Sequence, residues 1–341
     1  MEKLLSIYYE SIPAFLQEVA ATQIVQRIRD VGMNCGCEYT SFPRFVKVSD
    51  PSQKLSANMG IREPYSRYDH SLGVALIVWH FTQDKAQAIA GLLHDIATPT
   101  FAHSVDFLHG DYLKQESTES GTEEMIKGSG ELCAILRTHG IAADEVTDYH
   151  RYPIADNESP RLSADRLEYT LGNGVNYGFC TVEEAKRMYC DLIADSNEDG
   201  IDELCFRHKD IAEEFGLMAL NCSRVYVSAE DRYAMQILSE VLREAIQSGE
   251  LMESDLFTTE TQVIRKLAAR PLWQEFRKLH RLERSEEPTD RHGWRQIHAK
   301  KRCIDPLIAG EGRLHSVSKE FSDELRGFLS ESQNEWIRGI S

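Results

Sequence analysis

Long apolar helical patterns separated by short polar interruptions run along most of the chain, and they predict a mostly helical protein. Phe15, Val19, Ile24 and Ile28 open a helical spacing over about residues 10–31. Tyr39 to Val48 gathers aromatic and β-branched residues around Pro43, which suits a short hairpin or an ordered loop. From His70 to Phe81 almost every position is apolar, as in a helix buried on all sides. The next helix is expected to take Thr82 as N-cap with Asp84 in its first turn, and to stop at Pro99. Its apolar stripe is Ile89, Leu92, Leu93 and Ile96. His94 and Asp95 then fall at its C-terminal end, where the backbone dipole favours a cation.

A polar, acidic stretch over about 110–130 reads as a loop carrying a short helix, and Tyr149 to Pro160 as irregular. Ser159 is expected to cap the following helix with Pro160 at its first position. Ala164, Leu167 and Leu171 form that helix's core stripe, and Leu238, Val241, Leu242 and Ala245 mark another amphipathic helix. A polar break over 281–293 precedes Trp294 to Ile308, whose partial alternation points to strands, and a last helix is expected over Ser318 to Leu329. There is no internal repeat. The expected class is all-α: a helical core over residues 1–250 and a smaller, partly β appendage over 251–341.

Composition narrows the possibilities. An apolar fraction of 42% supports a sizeable core. No run of about 18 uncharged apolar residues occurs, so no membrane-spanning helix is expected. The N-terminus lacks a secretory pattern, and a cytoplasmic location is expected. Among the eight cysteines only Cys35-Gly-Cys37 is closely spaced, which favours reduced, buried thiols over a zinc ribbon. With 55 acidic against 38 basic residues and a net charge of −17, nonspecific nucleic-acid binding is not expected. A small anionic substrate is still compatible, because a bound cation and a few arginines reverse the field inside one pocket.

The candidate chemistry lies on three apolar segments: His70, the His94-Asp95 doublet and Asp165. A bare carboxylate in apolar surroundings is costly, so each must be paired, hydrogen-bonded or metal-bound. Imidazole nitrogen and carboxylate oxygen together suit a divalent transition metal, and a catalytic site leaves positions open for water and substrate. Singly, each residue has an ordinary alternative, a satisfied core histidine or, for Asp165, an ion pair with Arg161 or Arg166. The ordered set is far more specific.

Three motifs carry a resemblance: Arg67-Tyr-Asp-His70-Ser-Leu-Gly-Val-Ala, Leu92-Leu-His94-Asp95-Ile, and Ala164-Asp165-Arg166-Leu-Glu-Tyr169. Over about residues 60–175 the chain resembles the HD-domain superfamily of metal-dependent phosphohydrolases. The closest likeness is to deoxynucleoside triphosphate triphosphohydrolases, which share the Pro99-Thr-Phe-Ala-His103 pattern. The resemblance implies an all-helical core and one divalent metal, Fe, Mn, Ni, Co or Zn with Mg as a further candidate, held by His70, His94, Asp95 and Asp165. It implies that Arg67 and Arg166 contact phosphate, that Tyr169 packs on a sugar, and that His103 sits beside the attacked phosphate with Asp106 orienting an acid/base group. Lys114 would add positive charge and Gln115 would position water. The implied partner is a small phosphorylated substrate, a nucleotide in the first place, and a homo-oligomer is compatible.

The chain departs from that pattern at three places. Thr98 stands where the family has a phosphate-contacting histidine, Gln115-Glu116 replaces a His-Glu pair, and Asn173 replaces an aspartate that meets the sugar hydroxyl. These changes leave the metal ligands intact but weaken the case for triphosphate release. A nucleotide-sensing module and a di-iron oxygenase on the same scaffold are the alternatives, the latter drawing on His103, His109, His139 and His150. The Lys300-Lys-Arg302 run reads either as a solvated basic patch or as a phosphate contact from the C-terminal segment.

Overall fold

The apolar run after Ser66 forms a helix, Arg67–Thr82, with every residue from Tyr68 to Val78 buried. Its start is fixed locally. Ser66 is the N-cap, and the Asp69 carboxylate accepts in return from the Ser66 backbone N–H at 3.0 Å, forming a capping box. The Arg67 N–H donates to the Val31 carbonyl at 2.8 Å, which ties this end to the preceding segment. At the other end Gln83 takes a left-handed φ of 54°, and the chain turns. The computed structural model describes residues 2–9, 11–45, 65–110 and 121–341.

Two helices flank this buried one, Lys85–Leu93 and Ala164–Asn176. The first begins later than the sequence pattern predicts. Asp84, not Thr82, is the N-cap, because its carboxylate accepts from the N–H groups of Ala86 and Gln87 while Thr82 still belongs to the preceding helix. It ends at Leu93, leaving His94 as C-cap. The second is capped by Ser163 rather than Ser159, since the Ser163 hydroxyl accepts from the Arg166 N–H. Its expected stripe of Ala164, Leu167 and Leu171 is fully buried.

Farther along, Lys209–Tyr226 and Ala229–Gln247 pack on these layers, the latter against a short helix, His103–His109. Leu238, Val241, Leu242 and Ala245 face the core as expected. The N-terminal pattern breaks into Ala14–Ala20 and Gln23–Arg27, and the described part of the 39–48 segment is a loop after a single 3-10 turn.

Strands are a minor component. β1 (Leu192–Ser196) and β2 (Asp202–Phe206) pair antiparallel. β3 (Arg281–Ser285) lies in the segment expected to be a polar break. β4 (Leu307–Ile308) joins β2 in parallel and β5 (Gly312–Arg313) antiparallel, while β6 (Trp336–Ile340) pairs with β3. β3 is stabilised by its partner rather than by burial: Arg338 on β6 donates to Glu283 on β3 at 2.6 Å. The strands expected over 294–308 reduce to β4, because the segment before it is fixed mainly by side chains instead of a ladder. The last helix, Lys319–Ser330, takes Ser318 as its cap. One buried cluster runs from Leu4 to Ile337 and takes in residues on both sides of 250. No helix among the described residues is long and apolar enough to cross a membrane.

Gly73 shows why the motif needs a glycine. A Cβ there would come within 2.6 Å of the Glu168 side chain on the facing helix. Gly73→Ala should therefore cost about 1–3 kcal/mol by overpacking, read as a lowered urea midpoint. Gly128→Ala, where a Cβ would meet nothing within 4 Å, is the matched control and should not lower the midpoint.

Candidate metal centre

His70 lies near the start of the Arg67–Thr82 helix and is 2% exposed. Its Nδ1 is 2.6 Å from Glu168 Oε2. A carboxylate only accepts, so Nδ1 carries a hydrogen, and the ring is fixed with Nε2 facing the centre. Glu168 is held in turn by the Tyr65 hydroxyl, which donates to the same oxygen. The space for this chain of contacts comes from Gly73 and from Gly172, where a Cβ would lie 2.6 Å from the Tyr65 hydroxyl.

His94 reaches the same point from the end of the Lys85–Leu93 helix. Its Nδ1 is 2.7 Å from the Gly91 carbonyl, so its free nitrogen is again Nε2. The two Nε2 atoms stand 3.2 Å apart. With both Nδ1 atoms donating outward, two Nε2 atoms at that distance call for a proton or a cation beside them. Asp165, in the first turn of its helix, places Oδ1 2.9 Å from His70 Nε2 and 3.7 Å from His94 Nε2. Asp95 Oδ2 lies 3.9 Å from His70 Nε2 and 3.6 Å from His94 Nε2.

The doublet is held by the turn that follows it. The Thr98 hydroxyl donates to Asp95 Oδ1 at 2.7 Å, and Arg67 donates to Oδ2 at 2.9 Å. Arg27 donates at 2.7 Å to the carbonyls of both Ile96 and Thr98, which fixes the turn itself. Thr98 thus positions a candidate ligand, a role that its place in the motif does not disclose.

The electrostatics follow the geometry. Burial favours the neutral His70 ring, but Asp165 and Glu168 outweigh it and push its pKa up to about 10. Burial raises Asp95, yet Arg67, His94, His70 and Thr98 together hold its carboxyl far below the usual range. Against the same burial, His70, His94 and Arg166 lower Asp165 to about 2. Anionic carboxylates gathered at two inward-facing imidazoles are a donor set that fits a divalent cation. Among the described residues, the group with ligand atoms all within 4.8 Å of one another is His70, His94 and Asp95, with Asp165 hydrogen-bonded to its edge.

The centre lines a cleft of about 550 Å³. His103 lines it too, and its Nδ1 is 2.8 Å from the buried Asp106. The backbone just before His103 is strained: Phe101 and Ala102 have φ of 64° and 40°, conformations that non-glycine residues hold only where the surroundings impose them. Tyr169 also lines the cleft, its ring centroid 6.5 Å from that of His70. Arg166 faces the cleft but donates to Asp156 at 2.9 Å and to the Asn157 side chain at 3.0 Å. Arg67 is likewise engaged with Asp95. Lys114 and Gln115 lie outside the described residues.

Glu168 is the site residue that the sequence reading missed. The signal was its position three residues after Asp165, on the same helix face, among the buried Leu167 and Leu171. Lys300, Lys301 and Arg302 also border the cleft rather than forming a detached surface patch.

No family model matches the chain. An uncharacterised protein of Bacillus subtilis, YdhJ, is 27% identical over 206 residues, covering 60% of this chain and 61% of that one. The chain therefore spans less than two thirds of that relative's length. A metal-dependent phosphohydrolase of Cordyceps militaris is 27% identical over 272 residues, 74% of each chain. Among solved structures, a phosphohydrolase from Bacteroides thetaiotaomicron matches 97% of this chain and 96% of its own, with a TM-score of 0.62 at 16% identity. The fold is shared with that structure: a helical core with a smaller, partly stranded segment.

Because Glu168 and Thr98 orient candidate ligands, Glu168→Ala and Thr98→Val should each weaken metal binding about 10–100-fold. Competition against a chromogenic chelator measures this, and affinities equal to the unmodified protein's would remove both residues from the site.

Proposed function

We propose that the protein is an HD-type metal-dependent phosphohydrolase, cytoplasmic, acting on a small phosphate ester of the nucleotide class. The observation that carries this is the convergence of two imidazole Nε2 atoms and two carboxylates, from three separate segments, on one cleft. The names of the Cordyceps and Bacteroides relatives support the same class of reaction.

His70, His94, Asp95 and Asp165 would hold a divalent ion, which when bound would polarise a phosphoryl oxygen and lower the pKa of the attacking water. Asp106 holds the His103 Nδ1 hydrogen, which leaves Nε2 to exchange a proton with the leaving oxygen. Burial favours the neutral form of His103 despite Asp106, and Arg302 and Arg67 add to that effect; a neutral ring can take up a proton and then return it. Tyr149, 4.9 Å from the His94 ring by centroids, helps shield that side of the centre from water.

The aromatic half of the cleft supports an organic group on the ester. Tyr169, Tyr177 and Tyr226 line it together with Met33 and Met235, aromatic and soft apolar surface of the kind that packs on a sugar or base. The likeness to triphosphohydrolases stops short of their full chemistry. The Thr98 hydroxyl is engaged by Asp95, and the Asn173 amide donates to the Tyr226 hydroxyl at 2.9 Å. The division into a core over 1–250 and an appendage over 251–341 belongs to the same proposal, with the appendage closing one rim of the cleft.

Metal-loaded protein assayed against a panel of nucleoside mono-, di- and triphosphates should hydrolyse at least one member, and a chelator should abolish the activity. His94→Ala and Asp165→Ala should be inactive, and His103→Ala should lose about 10²–10⁴ in kcat with KM little changed. Full activity in His94→Ala and Asp165→Ala would refute the proposal.

A further inference from the structure

We infer that Arg302 is the side chain that recognises the substrate's phosphoryl group, and that the group it recognises is a single phosphate rather than a triphosphate chain; this deepens, and rests on, the phosphohydrolase proposal above.

The inference comes from following each cation to its partner. The described Lys and Arg side chains that line the cleft are Arg67, Arg166, Lys300, Lys301 and Arg302. Arg67 is committed to Asp95 and Arg166 to Asp156 and Asn157. Pulling either away would leave a nearly buried carboxylate uncompensated, since Asp95 and Asp156 are each 8% exposed. Lys301 donates to the carbonyls of Phe328 and Leu329 at 2.8 Å and of Glu331 at 2.6 Å, closing the C-terminal end of the last helix. Lys300 is engaged as well. Among these five, Arg302 alone has no hydrogen bond or ion pair with the described residues, although it is half-buried in the wall of the cleft.

Its backbone, by contrast, is firmly placed. Ala299 is bonded both ways to the Gln333 side chain, at 2.7 and 3.2 Å. The Asp305 N–H donates to the Pro160 carbonyl at 2.8 Å, just ahead of the Asp165 helix. Lys301 anchors the residue immediately before. A guanidinium held at a cleft rim and left without a counter-ion is a site waiting for an anion, and its fork of N–H donors matches two oxygens of one phosphoryl group. The same field reaches His103 and Tyr169, both on the cleft wall, so the anion sits between the metal centre and the aromatic half. A triphosphate chain needs several uncommitted cations along its length, and the described Lys and Arg side chains of the wall offer one.

The test uses the full-length, metal-loaded protein with inorganic phosphate and tripolyphosphate as calorimetric probes. Arg302→Ala should bind phosphate at least about tenfold more weakly with unchanged metal content and thermal midpoint. Arg302→Lys should fall between, because a point charge restores attraction but not the paired bonds. Tripolyphosphate should bind no more tightly than phosphate. Unmodified protein that binds no phosphate, or Arg302→Ala that binds it as the unmodified protein does, would overturn the assignment. Tripolyphosphate binding that is much the tighter would overturn the single-phosphate part. Turnover separates this from the broader proposal. Phosphate binding that depends on Arg302 without hydrolysis of any ester would sink the hydrolase and keep Arg302. Hydrolysis with an unaltered KM in Arg302→Ala would do the reverse.

Discussion

Two buried imidazole nitrogens 3.2 Å apart, with carboxylates pressed against them, need a positive charge among them, a proton or a cation. Everything around the centre is arranged so that this charge is wanted there. The Nδ1 hydrogens of both rings point outward, to Glu168 and to the Gly91 carbonyl. The carboxylates are kept ionised by Arg67, Thr98 and the imidazoles. The His94 helix brings its negative dipole end to the spot. The close packing of helices at Gly73 and Gly172 leaves room for Glu168 and Tyr65 behind His70.

The supporting residues divide the arginines into two kinds. Arg67, Arg166 and Arg27 are structural cations with fixed partners: the Asp95 carboxylate, the loop before the Asp165 helix, and the carbonyls of the His94 turn. Arg302 has charge and position but no partner among the described residues. Residue type could not separate these roles, because a guanidinium binds carboxylate, carbonyl and phosphate alike. Only the placement of Asp95 and Asp156 decides it.

The same limit explains what the sequence disclosed. The helices carrying His70, His94 and Asp165 were legible from their apolar spacing, and so was the placing of these candidate ligands at or near helix ends. Their caps were not, since Thr82 and Asp84, or Ser159 and Ser163, are equally good capping residues until the preceding helix or loop is placed. The hairpin of β1 and β2 has a signal in the Asp199-Gly200 turn between them, which a search for helical spacing passes over. β3 carries none, because a polar strand held by a partner about fifty residues away in the chain (Arg338 on Glu283) looks like a loop. Glu168 was hidden by its own burial: a carboxylate beside a leucine stripe draws attention only when a histidine on another helix is known to face it.

The most direct test of the central claim is an anomalous diffraction measurement on crystals of the protein soaked in a divalent transition metal. The account predicts one strong peak within bonding distance of His70 Nε2, His94 Nε2 and at least one of the Asp95 and Asp165 carboxylates. Crystals that show no density there, with His70 still bonded directly to Asp165 and the two Nε2 atoms still in contact, would contradict it.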